Sequence, residues 1–477
     1  MLFWGIVVVY VVVLVVIGIA AGRITNRQKD ENSLLVASSS LPWYVVGLSM
    51  FAGCVGGSTT IGVANDVYRN GFVALHYAWS HGAVYIILAL TFTKLRRVRV
   101  NNSNEFIGIA FNKRDNYLCG LLQSYALLGI LGAQVLAGVA VLNVFIPGLT
   151  KIQASLICIV FYGLFTLLGG IRAASWTNLV NTTCIVIGLV ACCVVALGLI
   201  DGGLPALWKE FEGTKYTDYF AGQPLTVTIA WWLANALCGW GAAPEWVQYR
   251  SGKDDKASRT GFLIAGFGQV ILAFVVGFIG LVAVKLFDNS SSALVDVALL
   301  CGPVISALTA VSLFAVIAST ASAYFVAVPG QILAAYRAFR DGDVSSRQEY
   351  WILKVMTVMV GVIGFVVAVF ADNIISIVIA MASSGLIPIS ALTFCLWYCP
   401  KLMRKSTCTV TFVAIMCLIV LYNFVRLPIL VNTFSNIIYP VLIVQALVIV
   451  ICYFVDKRPA TPEDAYYSDE EWAAIKG

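Results

Sequence analysis

Charged residues are scarce in this chain: its 477 residues include 30 Lys and Arg and 24 Asp and Glu, together only 11%. Soluble domains carry roughly 25% charged residues. Histidine occurs twice, and none of the 13 cysteines belongs to a Cys-x-x-Cys pair. These shortages exclude a water-soluble enzyme or scaffold, a nucleic-acid partner and a zinc site of the usual spacing.

Apolar residues take the place of charge, at 60% of the chain, and they collect in thirteen long segments. Each segment has about 20 residues or more, the length at which a helix crosses the bilayer core. We therefore predict an all-α integral membrane protein with about thirteen transmembrane helices in contact with membrane lipid. The segments are 2–21, 42–68, 72–95, 116–146, 151–169, 176–200, 223–249, 260–285, 300–336, 351–371, 374–399, 408–425 and 432–455.

The basic residues are unevenly divided between alternate loops. With the N-terminus placed outside, 24 of the 30 Lys and Arg lie in the inner loops and the tail. Loops rich in Lys and Arg remain in the cytoplasm during insertion. The sequence therefore predicts a multi-pass protein of the cell (plasma) membrane, with its N-terminus outside and its C-terminus in the cytoplasm.

Two of the segments contain residues that weaken a helix in mid-membrane. Residues 52–60 include three glycines and three hydroxyl side chains, and residues 239–245 include two glycines and a proline. Backbone groups freed by a break need partners in hydrocarbon, so breaks persist mainly where they line a cavity or bind a ligand. Close helix packing through small residues is the alternative interpretation.

The breaks occupy corresponding places in two sets of five segments, so the second set starts from the opposite side of the membrane. Matching interrupted helices in inverted halves indicate the central site of a transporter. We expect an extra helix and cytoplasmic loop at 1–41, a first repeat at 42–200, an extracellular loop at 201–222, an inverted second repeat at 223–399, two further helices at 400–455 and a cytoplasmic tail at 456–477.

The tail is polar and acidic, which favours a solvated stub. Ser468 and Glu471 have the spacing of a capping box that opens one short helix, from Trp472 onward. A helix docked against the inner loops is the alternative interpretation.

Four local patterns together resemble one known family. They are Gly57-Ser58-Thr59-Thr60-Ile61-Gly62 continuing to Tyr68-Arg69-Asn70-Gly71; Asn104-Glu105-Phe106; Gly169-Gly170-Ile171-Arg172-Ala173 with Trp176-Thr177; and Ala318-Ser319-Thr320-Ala321-Ser322. In this order and spacing they are similar to the sodium:solute symporter family, over roughly residues 1–455. The resemblance implies a LeuT-type core of five plus five helices in inverted repeat, with one helix before it and two after it.

The resemblance also implies Na⁺ as the coupling ion, bound between the first and eighth core helices. Its ligands would be the carbonyl oxygens of Ala52, Val55 and Val316 and the hydroxyl oxygens of Ser319 and Thr320. Hard cations prefer oxygen ligands, which a broken helix and facing hydroxyls supply. The alternative for the two hydroxyls is a hydrogen bond back to the preceding turn of their own helix.

One position departs from the family's pattern, because Asn178 stands where the family has an aspartate near the inward exit of the ion. This departure keeps proton coupling open, and His76 is a candidate coupling residue for it. A hydrogen-bonded interior imidazole is the favoured interpretation of both His76 and His81. No acidic residue falls in the middle of a segment, which favours Na⁺ coordination by neutral oxygens over a carboxylate proton relay.

The solute pocket is expected beside the ion site, between the two breaks. Amide-rich broken ends and aromatic walls suit a small polar organic solute. Relative to sugar carriers of the family, Ala78 replaces an acidic sugar contact, which argues mildly against sugars. Glu245 would pair with an ammonium group or lie at the cytoplasmic interface, and the interface is favoured. The candidate residues are Ser58, Thr59, Tyr77, Trp79, Trp240, Pro244, Glu245 and Gln248.

We therefore hypothesise a secondary active transporter that couples inward Na⁺ flow to uptake of a small-molecule solute by alternating access. The alternatives are a proton-coupled or uncoupled carrier on the same scaffold and a transporter-like solute sensor. The sensor is disfavoured because only about 20 residues follow the last segment. An enzyme is not expected, since no nucleophile–base pair or metal cluster lies at membrane depth.

Overall fold

The computed structural model describes residues 2–28, 35–146, 148–340, 344–370 and 374–476. Within these ranges the chain is almost entirely helical, and its β-structure is limited to isolated bridges. The α-helices are α1 (Leu2–Gln28), α2 (Trp43–Cys54), α3 (Val63–Asn70), α4 (Leu75–Thr91), α5 (Ser103–Ala110), α6 (Lys113–Phe145), α7 (Lys151–Gly198), α8 (Gly203–Phe211), α9 (Leu225–Cys238), α10 (Ala243–Ser251), α11 (Asp255–Leu286), α12 (Ala293–Leu300), α13 (Pro303–Phe339), α14 (Ser346–Phe370), α15 (Ile374–Tyr398), α16 (Thr407–Ile419), α17 (Pro428–Thr433), α18 (Ile438–Val455) and α19 (Asp469–Lys476).

Apolar helices long enough to cross a membrane dominate the described part of the chain. Seven qualify by length and composition, or eight if the bent pair Trp43–Cys54 and Ser58–Asn70 counts as one span. The all-α membrane class is confirmed, while the number of thirteen spans stays a prediction. Shorter apolar helices overlap five other predicted segments, at Val8–Arg23, Lys151–Leu164, Leu225–Cys238, Ser384–Tyr398 and Thr407–Asn423.

The long helix α7 contains a reversal of the chain at Gly170, where φ is +59°. Tyr10 of α1 touches both arms: its ring centroid lies 6.5 Å from that of Phe161, and its hydroxyl donates to Asn181 Oδ1 at 2.9 Å. Twenty residues of straight helix would separate these two partners by about 30 Å. The chain therefore turns back between them, as the separate segments 151–169 and 176–200 predict.

Loops that are predicted to lie on the same side of the membrane contact one another. On the predicted cytoplasmic side, the Arg250 guanidinium donates to the Val98 carbonyl at 2.7 Å. On the predicted outer side, Lys285 pairs with Glu210 at 2.6 Å. The grouping of the loops agrees with the charge distribution, and the side of the membrane that each group faces stays a prediction.

The tail is docked on the predicted cytoplasmic loops, so the expectation of a solvated stub is wrong. Val98 and Tyr466 form an antiparallel bridge, and the Arg99 amide donates to the Ala465 carbonyl at 2.9 Å. Ala465 is fully buried, and the Tyr466 ring packs 6.1 Å from that of Phe106. Composition concealed this docking because main-chain hydrogen bonds between a loop and the tail do not require apolar side chains.

The short helix of the tail begins as the capping box predicts. The Glu471 amide donates to Ser468 Oγ at 3.2 Å, and the Ser468 amide donates to Glu471 Oε2 at 2.8 Å. The bond from the Ser468 amide holds the pKa of the Glu471 carboxyl below its usual value. Glu471 also pairs with Arg99 at 2.8 Å, which adds an ionic contact to the docked tail.

Helix α13 lies against α6, α7 and α14 and carries three of the candidate ion ligands, Val316, Ser319 and Thr320. A Cβ at Gly188 of α7 would lie 1.8 Å from Ser312 Oγ, so only glycine permits this close approach. The Ser312 hydroxyl donates to the Cys184 carbonyl at 2.6 Å across the same contact. Small residues of this kind are how membrane helices pack closely, and the packing presents Ser319 and Thr320 to α2.

Candidate functional site

The first predicted break is present in the second predicted segment, residues 42–68, which we call span 2. Helix α2 ends at Cys54, Val55 is extended with φ −79° and ψ 92°, and the following helix is tilted by 57°. A Cβ at Gly57 would lie 2.8 Å from Ala137 Cβ, which explains the need for glycine. The freed Gly57 amide donates to Gln134 Oε1 of α6 at 3.1 Å.

All five candidate ion ligands converge beside this break. The Ser319 hydroxyl lies 2.6 Å from the Ala52 carbonyl oxygen and 2.9 Å from that of Val316. The Thr320 hydroxyl lies 3.2 Å from the Val55 carbonyl oxygen and 3.0 Å from that of Val316. Each hydroxyl therefore reaches the preceding turn of its own helix and also the facing break.

This cluster of five oxygens has the chemistry of a small hard cation site. Ser319 and Thr320 are 1% and 4% exposed, so few waters compete for the oxygens. A cation among them would be coordinated by hydroxyl lone pairs and carbonyl oxygens once the hydroxyl protons rotate away. The assignment of Na⁺ to these five residues stays a prediction.

Asn178 belongs to a neutral hydrogen-bonded chain near the cluster. Its Nδ2 donates to Ser49 Oγ at 3.2 Å, and its Oδ1 accepts from Asn181 Nδ2 at 3.0 Å. Ser49 lies one helical turn before Ala52 on α2. The chain places Asn178 close to the predicted ion path, and its role in coupling stays a prediction.

The second break separates α9 from α10 and is also present as predicted. Ala242 is extended with φ −74° and ψ 125°, and Pro244 stands in the first turn of α10. The Gly241 carbonyl accepts from Gln123 Nε2 at 2.7 Å, and its amide donates to Ser390 Oγ at 2.9 Å. Side chains of α6 and α15 thus satisfy the backbone that this break frees.

A cavity of about 110 Å³ lies between the two breaks, and we refer to it as the central cavity. Five of the eight predicted solute residues line it, together with the hydroxyl-bearing ion candidates. The five are Ser58, Tyr77, Pro244, Glu245 and Gln248. Polar or aromatic lining residues that the sequence interpretation missed are Ser49, His81, Tyr85, Gln134, Asn235, Ser322 and Tyr324.

Glu245 lies in the wall of the central cavity, so the favoured interpretation of an interfacial glutamate is wrong. The break ends at α10, whose first turn therefore sits at cavity depth. Arg250, one and a half turns further along, is the residue that reaches the cytoplasmic loop at Val98. Glu245 Oε2 is buried and has no hydrogen-bond partner.

Three predicted solute residues lie outside the central cavity. Trp79 packs against Tyr219 and Phe274, with ring centroids 5.6 and 5.3 Å away. Tyr77 and Trp79 are two positions apart, and residues with that spacing do not share a helix face. The indole of Trp240 instead donates to Thr91 Oγ1 at 3.0 Å. Thr59 Oγ1 accepts the amide of Gly56 at 2.9 Å, so its hydroxyl caps the first break.

His76 has both ring nitrogens occupied outside the central cavity. Its Nδ1 accepts from the Trp232 indole at 3.0 Å, which requires that nitrogen to be unprotonated. Its Nε2 then donates to the Tyr219 carbonyl at 3.0 Å. This arrangement is that of a neutral interior imidazole and gives no support to a proton-coupling role for His76.

Helical spacing would have identified the cavity face of α4. Tyr77, His81 and Tyr85 follow one another at intervals of four residues and all line the central cavity. Gln134 carries a second usable signal, as a polar side chain within an apolar segment. Asn235 carries the same signal within α9, whereas no spacing in the sequence marks Tyr324.

The family comparison extends over most of the chain. The model of the sodium:solute symporter family matches residues 34–406. The sodium/glucose cotransporter of Vibrio parahaemolyticus is 22% identical over 294 residues, 58% of this chain. The aligned region covers 54% of that relative, so the chain spans about half its length. An uncharacterised symporter of Bacillus subtilis, YwcA, is 21% identical over 77% of this chain and 76% of its own.

Solved structures of transporters share the fold. A Na⁺-coupled sialic acid symporter in a substrate-bound outward-open state matches with a TM-score of 0.79 and 15% identity, covering 97% of this chain and 98% of its own. Mhp1, a nucleobase-cation-symport-1 family transporter in a closed conformation, matches with a TM-score of 0.63 and 14% identity, over 94% and 98%. At these identities the likeness establishes the fold alone.

Proposed function

Because the chain belongs to the sodium:solute symporter family, we propose that it is a secondary active transporter that couples inward Na⁺ movement to uptake of a compact polar organic solute. The observation that carries the proposal is the cluster of five oxygens at the first break. Two buried hydroxyls of α13 there reach three carbonyl oxygens, two of them freed by the break in span 2. The family resemblance drawn from the sequence is confirmed.

The ion cluster and the central cavity share residues, which gives a physical route for coupling. Ser319 and Thr320 reach the carbonyl oxygens of the first break and also line the central cavity. An ion bound at the cluster would hold the broken span 2 against α13 and so stabilise the wall that the solute contacts. A ligand shifts a conformational equilibrium only by its difference in affinity between the states, and ligands drawn from two helices supply such a difference.

Proton coupling on the same scaffold is the second candidate function. The observation that favours it is Glu245, a carboxylate in the wall of the central cavity with one oxygen unpartnered. Titratable groups at membrane depth mark proton pathways in many carriers. Na⁺ coupling is better supported because the five converging oxygens suit a hard cation.

The same proposal includes location and orientation. The multi-pass membrane character follows from the apolar helices, and we place the protein in the plasma membrane with its N-terminus outside. The docked tail supports a common side for the C-terminus and the basic loops, since Arg97 and Arg99 pair with Asp469 and Glu471. Reporter fusions that put the tail and residues 94–115 on opposite sides would contradict it.

The direct test needs no knowledge of the solute. Purified full-length chain is incubated with ²²Na⁺ in the presence of rising Na⁺, Li⁺ or K⁺, and bound radioactivity is counted. We expect saturable binding that unlabelled Na⁺ displaces and K⁺ does not. Binding that is absent at neutral pH, together with reconstituted uptake that follows a pH gradient, would replace Na⁺ by the proton.

A further inference from the structure

The central cavity contains polar atoms that the protein itself does not satisfy. Glu245 Oε2, Gln248 Nε2 and His81 Nδ1 are buried, line this cavity and have no hydrogen-bond partner. Glu245 and Gln248 are three residues apart on α10 and so share one helix face. Buried polar atoms are nearly always paired in native proteins, so these three atoms indicate a ligand with complementary groups.

The charge of the central cavity is one-sided. Glu245 is the sole charged residue among its lining residues, and neither lysine nor arginine occurs in the described wall. A buried carboxylate without a counter-charge is strongly unfavourable, and neutralisation by a cation relieves that cost. An anionic solute would find no positive side chain here and would meet Glu245 as a like charge.

Three tyrosine side chains line the same cavity as Glu245. They are Tyr77 and Tyr85 of α4 and Tyr324 of α13. The face of a tyrosine ring attracts ammonium groups, with greater effect where water is excluded. Carboxylate and rings together therefore form a site for an organic cation.

We propose that the transported solute carries a positively charged amine and that Glu245 is its counter-charge. This inference rests on the proposed symport function and names the chemical class of its solute. For polar groups beside the amine, Gln248 supplies a hydrogen-bond donor. His81 supplies a donor or an acceptor, depending on its tautomer. A volume of about 110 Å³ has room for on the order of ten non-hydrogen atoms, which points to a compact amine.

The first readout uses the unmodified full-length chain. Its thermal unfolding in detergent is followed in NaCl with a panel of compact probes: ethanolamine, choline and further monovalent amines as cations, glucose as a neutral solute, and lactate as an anion. We expect saturable, Na⁺-dependent stabilisation by at least one amine, and none by lactate. Stabilisation by glucose or lactate and by no amine would overturn the inference.

The second readout compares Glu245→Gln with a matched control. Glutamine keeps the size of the side chain and removes its charge, so we expect at least a tenfold loss of affinity for the amine, about 1.4 kcal/mol. The control is Glu212→Gln, an exposed glutamate in the outer loop after α8, for which affinity should not change. ²²Na⁺ binding by Glu245→Gln should persist, because its carboxylate is not among the five cluster oxygens.

The outcomes separate the inference from the proposed function. Intact ²²Na⁺ binding without stabilisation by any amine would overturn the amine assignment and leave Na⁺ symport standing. Amine affinity that is unchanged in Glu245→Gln would also overturn it. Loss of ²²Na⁺ binding in the unmodified chain would instead defeat the proposed function. Uptake that follows a pH gradient and disappears in Glu245→Gln would assign Glu245 to a proton.

Discussion

The two helix breaks have the same origin in sequence and different chemistry in the structure. At the first break, neutral hydroxyl and amide groups reach the freed backbone, and Ser319, Thr320 and Gln134 are the partners. At the second break, Gln123 and Ser390 satisfy the backbone, yet Glu245 lines the cavity with one carboxylate oxygen that has no hydrogen-bond partner. The first break thus offers several neutral oxygens, and the second offers one charge.

This difference matches the needs of two kinds of ligand. A small bare cation must replace its whole hydration shell and therefore needs several oxygens at close distance. An organic solute needs shape, a few directed polar groups and at most one counter-charge. We infer that broken helices acquire their ligand preference from the side chains around them, since both breaks free the same backbone groups.

The largest expected effect is on the first break. Replacing Ser319 and Thr320 together by alanine removes two of five oxygens, each contact being worth about 1.5–3 kcal/mol. Na⁺ affinity should fall by roughly two orders of magnitude or more, measured by ²²Na⁺ binding. The control is Thr357→Ala with Thr393→Ala, two buried hydroxyls bonded to their own helices. Unchanged Na⁺ affinity in the Ser319/Thr320 variant would place the ion elsewhere.

The second-largest effect is expected from a substitution at the close helix contact that shapes the first break. In Gly57→Ala the new Cβ meets Ala137 Cβ at 2.8 Å, whereas in Gly53→Ala it meets nothing within 4 Å. Overpacking of this kind costs about 1–3 kcal/mol. We expect thermal unfolding in detergent to occur at lower temperature for Gly57→Ala than for Gly53→Ala. Equal unfolding temperatures would show that the break tolerates a wider backbone separation.

A smaller effect is expected from a substitution that gives the first break a carboxylate, as the second break has. Asn178→Asp adds a carboxylate within the hydrogen-bonded chain that reaches Ser49, one turn from Ala52. A charge near the ion path strengthens Na⁺ binding by Coulomb attraction, and we expect a change of about tenfold, or 1.4 kcal/mol. A Na⁺ titration of ²²Na⁺ binding measures it. Weaker Na⁺ binding by the variant would mean that Na⁺ binding depends on the amide donor of Asn178 and not on a negative charge at this position.

The smallest expected effect concerns His76, which lies outside both breaks. In His76→Gln the ratio of Na⁺-driven to pH-gradient-driven uptake should not change, because the ring is already a neutral imidazole bonded to Trp232 and Tyr219. Reconstituted uptake of the amine identified above provides the measurement. Loss of a pH-gradient-driven component in this variant would restore proton coupling through His76.

Local sequence features were sufficient for the helices and their interruptions. Runs of about 20 apolar residues must form helices in a bilayer because no water satisfies their backbone. Glycine and proline weaken a helix, so Gly53, Gly56 and Gly57 predicted the first break and Pro244 predicted the second. Helical spacing also predicts the cavity face of α4, since Tyr77, His81 and Tyr85 share one helical stripe. Trp79, two positions from Tyr77, lies off this stripe and outside the central cavity.

By itself, the sequence determined the membrane class, the two interruptions and the family, all of which depend on residues close together in the chain. Only the tertiary structure decided which groups meet: Ser319 and Ala52 lie 267 positions apart, Glu245 faces the cavity, and the tail docks. The reason is that membrane helices apolar on every side carry no pattern that sets their rotation. Packing through small residues such as Gly188 sets it, and with it the side chains that line the site.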